Sequence, residues 1–262
     1  MTAQIKTRYC LTIEYVGEGY YGWQRQPDLP TIQQEIEKAI KKFSGQNVDV
    51  QSAGRTDAGV HAKAQIAHVD FDGFKKPMAP FEVIKAINAH LRPQPISIIH
   101  AEIVPDDFHA RFSAKNKQYM YRILNRQAFP ALEQNRIWHI KKKLDVQAMN
   151  EATQALLGQH DFSSFRDAQC QAKNPVRTLD SLIVTTHEYD PHGGQEIRMT
   201  AQAQSFLHHM VRNIAGTLAL VGEGKLTAED MRNILEARDR TKAGPTAPAG
   251  GLYLEWIDYE NK

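Results

Sequence analysis

The sequence contains little cysteine and no long apolar run, and each absence narrows what the protein can be. Only two of its 262 residues are cysteines, Cys10 and Cys170, and neither has a C-x-x-C partner. This argues against a thiolate zinc site and a disulfide scaffold, and it fits a reducing cytosol. No apolar segment approaches the roughly 18 residues that span a bilayer, and the polar stretch 1–8 does not resemble a signal peptide. We therefore expect a cytoplasmic protein with no membrane segment.

An excess of charge of one sign is missing as well. The chain has 32 Lys and Arg against 30 Asp and Glu, a formal charge of +2. A nucleic-acid role would therefore need basic residues gathered on one surface. With 42% apolar and 24% charged residues, the chain is not disordered, and its length fits one large or two moderate domains with real cores.

The first half of the chain predicts the element order β-α-β-β-α-β. Thr31 can cap the first helix and Gly45 ends it, while Pro93 blocks the second. This order is the split βαβ, or ferredoxin-like, arrangement, in which two helices cover one face of an antiparallel sheet. The loop before the first helix is predicted to be loosened by Gly17, Gly19 and Gly22. The expected strands are 8–15, 48–53, 64–71 and 96–104, and the expected helices are 31–43 and 83–91.

The second half predicts a looser version of the same plan. We expect a fold of the α+β class with two ferredoxin-like α+β domains, mostly antiparallel sheets and a boundary near Pro105 to Phe108. The predicted domains are 1–107 and 108–262. The expected strands are 117–124, 179–187, 196–206 and 251–259, and the expected helices are 145–157, 206–221 and one that opens at Thr227.

Positive charge is concentrated in residues 108–143, which we call the basic segment. It has nine Lys or Arg against one acid, Glu133. A mixture of cations and aromatic rings can hold phosphates and stack unpaired bases. The alternative is an ordinary solvated strand and loop whose aromatic rings turn into the core. The cations are Arg111, Lys115, Lys117, Arg122, Arg126, Arg136, Lys141, Lys142 and Lys143, and the rings are Phe108, Phe112, Tyr119, Tyr121, Phe129 and Trp138.

Residues 54–61, Gly-Arg-Thr-Asp-Ala-Gly-Val-His, lie between two predicted strands, and we call them the Asp57 loop. Glycines on either side of Asp57 permit positive φ and close approach of a ligand to the backbone. Its carboxylate can serve as nucleophile or base. The alternative is a turn residue that caps its own backbone, with Arg55 as a surface ion partner.

Several further motifs occur in a fixed order along almost the whole chain. Together with the Asp57 loop, they closely resemble the TruA family of tRNA pseudouridine synthases. One position departs from the pattern, because relatives often carry Arg where this chain has Met120, which puts one phosphate contact in doubt. The motifs are Glu14-Tyr15, Gly22-Trp23-Gln24, Thr31-Ile32-Gln33, Phe108-His109-Ala110-Arg111-Phe112-Ser113-Ala114, Tyr119-Met120-Tyr121, Gly158-Gln159-His160-Asp161-Phe162, Pro175-Val176-Arg177-Thr178, Phe206-Leu207-His208-His209-Met210-Val211-Arg212-Asn213 and Thr246-Ala247-Pro248-Ala249 with Gly251-Leu252.

The resemblance implies isomerisation of uridine to pseudouridine at positions 38, 39 and 40 of tRNA, in the anticodon stem-loop. It implies the pseudouridine synthase fold, with two α+β domains whose sheets meet beneath a basic active-site cleft, and a homodimer. Asp57 matches the catalytic aspartate, Tyr119 the tyrosine that stacks on the target base, and Arg212 the arginine that pairs with the aspartate. Arg55 matches a residue that holds the RNA with the target nucleotide turned out.

These residue types suit the reaction. It breaks the C1′–N1 bond and rejoins the uracil through C5 without redox change, so one carboxylate suffices and we expect no cofactor and no metal. An unpaired Arg212 in an apolar helix would be costly, which favours an anionic partner or the cleft over a surface position. Tyr119 offers a ring for stacking and a hydroxyl as a candidate base for the C5 proton. The expected RNA contacts are Arg55, Arg111, Lys115, Lys117 and Tyr119.

Two other functions compete with this interpretation. A metal hydrolase would use Asp57, His61, His208 and His209. It is disfavoured because adjacent histidines on a helix point about 100° apart and no H-E-x-x-H spacing occurs. An RNA-binding module without catalysis would need the basic surface but not Asp57, so replacing Asp57 by Asn separates a module from an enzyme.

Overall fold

The computed structural model describes residues 5–74 and 76–259. The chain forms two compact units, the first made of residues 1–115 and 254–262 and the second of residues 116–253. The predicted domains 1–107 and 108–262 stay a prediction, because compactness alone does not show that a segment folds independently. Within the described ranges, no helix combines the length and the apolar character that a bilayer crossing requires.

The first unit has the predicted β-α-β-β-α-β order. Strand β1 pairs antiparallel with β3 on one side and with β4 on the other, and β2 pairs antiparallel with β3. The resulting strand order β4-β1-β3-β2 is that of the split βαβ arrangement, so the expected plan is confirmed here. The elements are β1 (Ile5–Tyr15), α1 (Ile32–Ser44), β2 (Gln51–Ser52), β3 (His61–Phe74), α2 (Pro80–Leu91) and β4 (Ile96–Val104).

Helix α1 (Ile32–Ser44) is capped by the two predicted residues, Thr31 and Gly45. The Thr31 hydroxyl accepts a hydrogen bond from the backbone N–H of Gln34 at 3.4 Å, and Gly45 takes the left-handed conformation at φ 74°. In its apolar stripe, Ile36 and Ile40 are fully buried and Phe43 is half-buried. Helix α2 starts three residues earlier than expected, at Pro80, because proline is well tolerated in the first helical turn.

The second unit is also of the α+β class. Strand β10 lies between β5 and β9 and pairs antiparallel with both, β6 runs parallel to β5, and β7 and β8 form a separate antiparallel pair. The strand β11 (Leu252–Asp258) begins in this unit and ends in the first. The other elements are β5 (Asn116–Asn125), β6 (Trp138–Ile140), α3 (Val146–Thr153), β7 (Gly158–Asp161), β8 (Val176–Leu179), β9 (Ser181–Glu188), β10 (Gln195–Ala203), α4 (Met210–Gly222) and α5 (Ala228–Ala237).

The helix expected over 145–157 ends at Thr153, and the two boundaries predicted before α4 are also wrong. The strand expected to reach residue 206 ends at Ala203, and the helix expected from residue 206 begins at Met210. The residues between them form a tight turn, in which the Met210 N–H donates to the Leu207 carbonyl at 3.1 Å. Leu207 is only 4% exposed. Its apolar character therefore reflects burial in a turn and not a place in the helical stripe.

Candidate active site

The Asp57 loop connects β2 to β3 in the first unit. The Val60 N–H donates to the Asp57 carbonyl at 3.1 Å, and Gly59 takes the predicted positive φ, 77°. Thr56 is buried at 6% exposure, Asp57 is half-buried and Arg55 is exposed. The turn therefore buries one side chain and leaves the carboxylate next to it partly accessible.

Hydrogen bonds from buried residues of neighbouring segments hold this loop in place. The Tyr15 hydroxyl and the Thr56 hydroxyl lie 2.7 Å apart, and the Thr56 carbonyl accepts the Trp23 N–H at 3.1 Å. The Gln65 amide donates to the Gly54 carbonyl at 2.8 Å. Burial raises the pKa of Tyr15 to about 12, against the hydrogen bonds to Thr56 and Gln65, so its hydroxyl stays neutral and anchors the loop without adding charge.

Two glycines let another backbone segment touch the Asp57 loop directly. A Cβ at Gly17 would lie 2.0 Å from the carbonyl oxygen of Val60, and a Cβ at Gly22 would lie 2.6 Å from that of Thr56. Gly22 also has φ 87°. The prediction that glycine loosens this segment is therefore wrong, because the glycines at 17 and 22 permit close backbone packing.

Tyr119 lies on β5 in the second unit, opposite Ala201 of β10. Its ring meets Phe206 edge-on, with centroids 5.1 Å apart and planes at 87°, and its exposed fraction is 9%. An aromatic contact of this geometry favours one ring orientation. Tyr119 is therefore a supported ring and not a mobile surface side chain.

Arg212 lies in the first turn of α4. Its Nε donates to the Ala247 carbonyl at 2.8 Å, and the Ala247 N–H donates back to the Arg212 carbonyl at 3.2 Å. The next carbonyl, of Pro248, accepts the Tyr121 hydroxyl at 2.7 Å. Burial raises the pKa of Tyr121, and the Arg212 charge opposes that rise. Residues 246–248 thus connect the helix of Arg212 with the strand that carries Tyr119.

A histidine pair immediately precedes α4. His209 Nδ1 lies 2.7 Å from Asp167 Oδ2, His208 Nδ1 lies 3.7 Å from Asp167 Oδ1, and the two rings are 4.0 Å apart. His209 has φ 61° and precedes the first helical residue, so neither histidine lies on the helix. The argument against a metal hydrolase from the angle between helical neighbours is therefore wrong. Asp167 was not predicted from the sequence, although two adjacent histidines are a signal for an acidic partner.

The third histidine of that alternative, His61, makes a structural contact. It is 1% exposed, and its Nδ1 accepts the backbone N–H of Gly17 at 3.0 Å. This bond fixes the ring tautomer and leaves Nδ1 occupied. His61 therefore contributes to the contact between the glycine-containing segment and the Asp57 loop.

Three of the residues predicted to contact RNA lie near the start of the basic segment. Arg111 and Lys115 are exposed in the first unit, and Lys117 is half-buried on β5 in the second. Phe112 is 78% exposed, and its ring centroid is 6.0 Å from Arg111 Cζ. A cation beside an accessible ring is the combination expected of a surface that contacts RNA.

Farther along, the basic segment is less positive than its composition indicates. Arg122 bonds to Glu196 at 2.8 Å and to Glu133 at 3.0 Å, and Arg126 bonds to Asp190 at 2.8 Å. Glu196 and Asp190 lie outside the segment, so a charge count along the chain could not include them. These two arginines stabilise the second unit and are weak candidates for phosphate contacts.

The candidate residues are divided between the two units. Asp57 and Arg55 share one turn of the first unit, whereas Tyr119 and Arg212 belong to the second. Combined action of all four is part of the function proposed below.

The chain is similar to known proteins over most of its length. A family model described as tRNA pseudouridine synthase matches residues 11–113 and 152–260. A protein of Rhodospirillum rubrum named tRNA pseudouridine synthase A is 54% identical over 247 residues, which cover 94% of this chain and 86% of that protein. A protein of the same name from Maricaulis maris is 49% identical over 252 residues, 96% of this chain and 98% of its own.

Proposed function

This chain belongs to the tRNA pseudouridine synthase family, and from that premise we propose that it isomerises uridine to pseudouridine at positions 38, 39 and 40 of the tRNA anticodon stem-loop. The observation that carries the proposal is the Asp57 loop, a turn held by buried hydrogen bonds that leaves its carboxylate half-buried. Its motif occurs in a chain about half identical to named synthases.

The proposed reaction needs one reactive carboxylate. The C1′–N1 bond breaks, the uracil turns, a C1′–C5 bond forms, the C5 proton leaves and N1 gains a proton. Asp57 is the nucleophile or base for this sequence, either at uracil C6, at ribose C1′ or on the 2′ proton. No electron acceptor or transferred group enters the balance, so we propose that the enzyme acts without a cofactor or a metal.

The other site residues have complementary roles. Tyr119 stacks on the target base and is the candidate acceptor of the C5 proton. Arg212 pairs with the Asp57 carboxylate and favours its charged form. Arg55 holds the RNA with the target nucleotide out of the helix, because unstacking a base costs a few kcal/mol that RNA contacts must offset.

The partner is tRNA, bound through phosphate contacts from Arg111, Lys115 and Lys117. We propose a cytoplasmic homodimer in which one protomer grips the tRNA body while the other holds the loop. The accessible Phe112 beside Arg111 supports an RNA-contacting role for this part of the basic segment.

The decisive experiment is release of tritium from C5-labelled uridine in tRNA. Asp57→Asn should abolish release while the Kd for tRNA stays within about twofold, since the substitution keeps the shape of the side chain. Asp72→Asn, at an exposed residue of β3, is the control for loss of one negative charge. Tritium release by Asp57→Asn at the native rate would contradict the proposal. If the protein is an RNA-binding module, neither the wild type nor any variant should release tritium.

The role of Tyr119 has its own test. Tyr119→Phe keeps the stacking ring and removes only the hydroxyl, so tRNA affinity should change little while loss of the C5 proton slows. The rate of tritium release in a single turnover measures that step. An unchanged rate would remove the base role and leave stacking alone.

A further inference from the structure

Arg240 lies outside the residues assigned above, yet it donates four hydrogen bonds within the second unit. One terminal nitrogen, Nη1, donates to the carbonyls of Gly244 at 2.9 Å and Ala243 at 3.4 Å. The other, Nη2, donates to the Asn213 side-chain oxygen at 3.1 Å and to the Thr246 hydroxyl at 3.0 Å. A planar guanidinium carries donors on separate nitrogens in a fixed geometry, so it can hydrogen-bond to both sets of acceptors at the same time.

The segment that Arg240 contacts, residues 243–247, lies directly on the backbone of α4. A Cβ at Gly216 would lie 1.8 Å from the Pro245 carbonyl oxygen. The Gly244 N–H donates to the Thr217 hydroxyl at 2.9 Å, and the Thr246 hydroxyl donates to Asn213 at 2.7 Å. The segment therefore has little freedom to shift along the helix.

This segment ends at the carbonyl that holds Arg212. Ala247 follows Thr246, and it exchanges two hydrogen bonds with Arg212, one of them from Nε of the guanidinium at 2.8 Å. Because the guanidinium is planar, a bond at Nε restricts the direction in which its terminal nitrogens point. A shift of Thr246 would move the Ala247 carbonyl and turn the guanidinium with it.

We propose that Arg240 is a positioning residue that orients the Arg212 guanidinium for catalysis, acting through Thr246 and the Ala247 carbonyl. The proposal rests on the role of Arg212 in the proposed function. It assigns Arg240 no contact with the RNA. Its effect should therefore appear in the rate of the chemical step and depend on the presence of Arg212.

A double-mutant cycle tests this dependence. Arg240→Lys, Arg212→Lys and the double variant are compared by single-turnover pseudouridine formation at saturating enzyme, with tRNA Kd and Tm measured in parallel. Arg240→Lys keeps the charge but loses the two terminal guanidinium nitrogens that make the four hydrogen bonds. The single-turnover rate should therefore fall about tenfold, and the Kd for tRNA should stay within about twofold of the wild-type value. In the Arg212→Lys background, the same change should cost less than about twofold. Arg232→Lys, at an exposed residue of α5, is the matched control. It should change neither the single-turnover rate nor the Kd for tRNA.

Equal losses in the two backgrounds would overturn the proposal, because they would show that Arg240 supports the fold without acting through Arg212. If Arg240→Lys does not fold, Thr246→Val enters the same cycle, and Thr246→Ser, which keeps the hydroxyl, should restore the native rate. Failure of Thr246→Ser to do so would also refute the mechanism. A wild-type protein that forms no pseudouridine would instead refute the proposed function.

Discussion

Replacing Gly17 by Ala should damage catalysis more than stability. The added Cβ would lie 2.0 Å from the Val60 carbonyl oxygen and 2.6 Å from its carbonyl carbon. Favourable contacts between such atoms need about 3.5 Å, so one of the two backbones must move by roughly 1 Å or more. Val60 is hydrogen-bonded to Asp57 in the same turn. A misplacement of that size at a reacting group costs on the order of 100-fold in rate, and we expect kcat to fall by about that factor.

Gly19→Ala is the matched control for this prediction. Gly19 has φ 82°, but a Cβ there would have no atom within 4 Å, so the substitution adds about 1–2 kcal/mol of backbone strain and displaces nothing. It should lower Tm by a few degrees and leave kcat within about twofold. Tritium release from C5-labelled tRNA, measured well below both Tm values, compares the two. Equal kcat values for Gly17→Ala and Gly19→Ala would refute the reasoning.

Two further predictions concern charge. Burial raises the pKa of Glu196, but hydrogen bonds from two arginines outweigh it and leave the pKa at about 2, below the ordinary 4.5. The stabilisation, at most about 3 kcal/mol, is present above pH 4.5 and lost as the pH falls towards 2. The difference in urea unfolding free energy between wild type and Glu196→Gln should therefore shrink over that range, and a constant difference would contradict it. The Kd for tRNA should rise steeply with salt, and Arg111→Gln or Lys115→Gln should each reduce the slope of log Kd against log salt by about 0.7–0.9. Lys41→Gln, on the exposed face of α1, should leave the slope of log Kd against log salt unchanged.

The fold of the first unit was predictable because local and tertiary preferences agree there. Thr31 and Gly45 mark the ends of α1, and the apolar residues between them repeat at helical spacing, so one segment carries three independent indications. The strand 96–104 was predicted with its observed limits. The resemblance to a family added the reaction and the candidate residues, which periodicity does not supply.

The errors have physical causes. Leu207 and Met210 are both buried, and a buried turn followed by a buried helix gives the same apolar pattern as one longer helix. The strands β6, β7 and β8 have three or four residues each, too few to show alternation. The close contact at Gly17 depends on two segments distant in sequence, which no local pattern reveals.

Both parts of the proposed site are positioned by direct contact between backbones. At Gly17 and Gly22 one segment touches the turn that carries Asp57, and at Gly216 another touches the helix that carries Arg212. Side chains at such contacts could adjust by changing rotamer, but two backbones held at this distance can adjust only by moving a whole segment. Each glycine therefore helps to determine the location of a reactive side chain through the backbone that carries it. For this reason, adding a single methyl group at Gly17, Gly22 or Gly216 should affect the rate more than removing a larger side chain from an exposed helix.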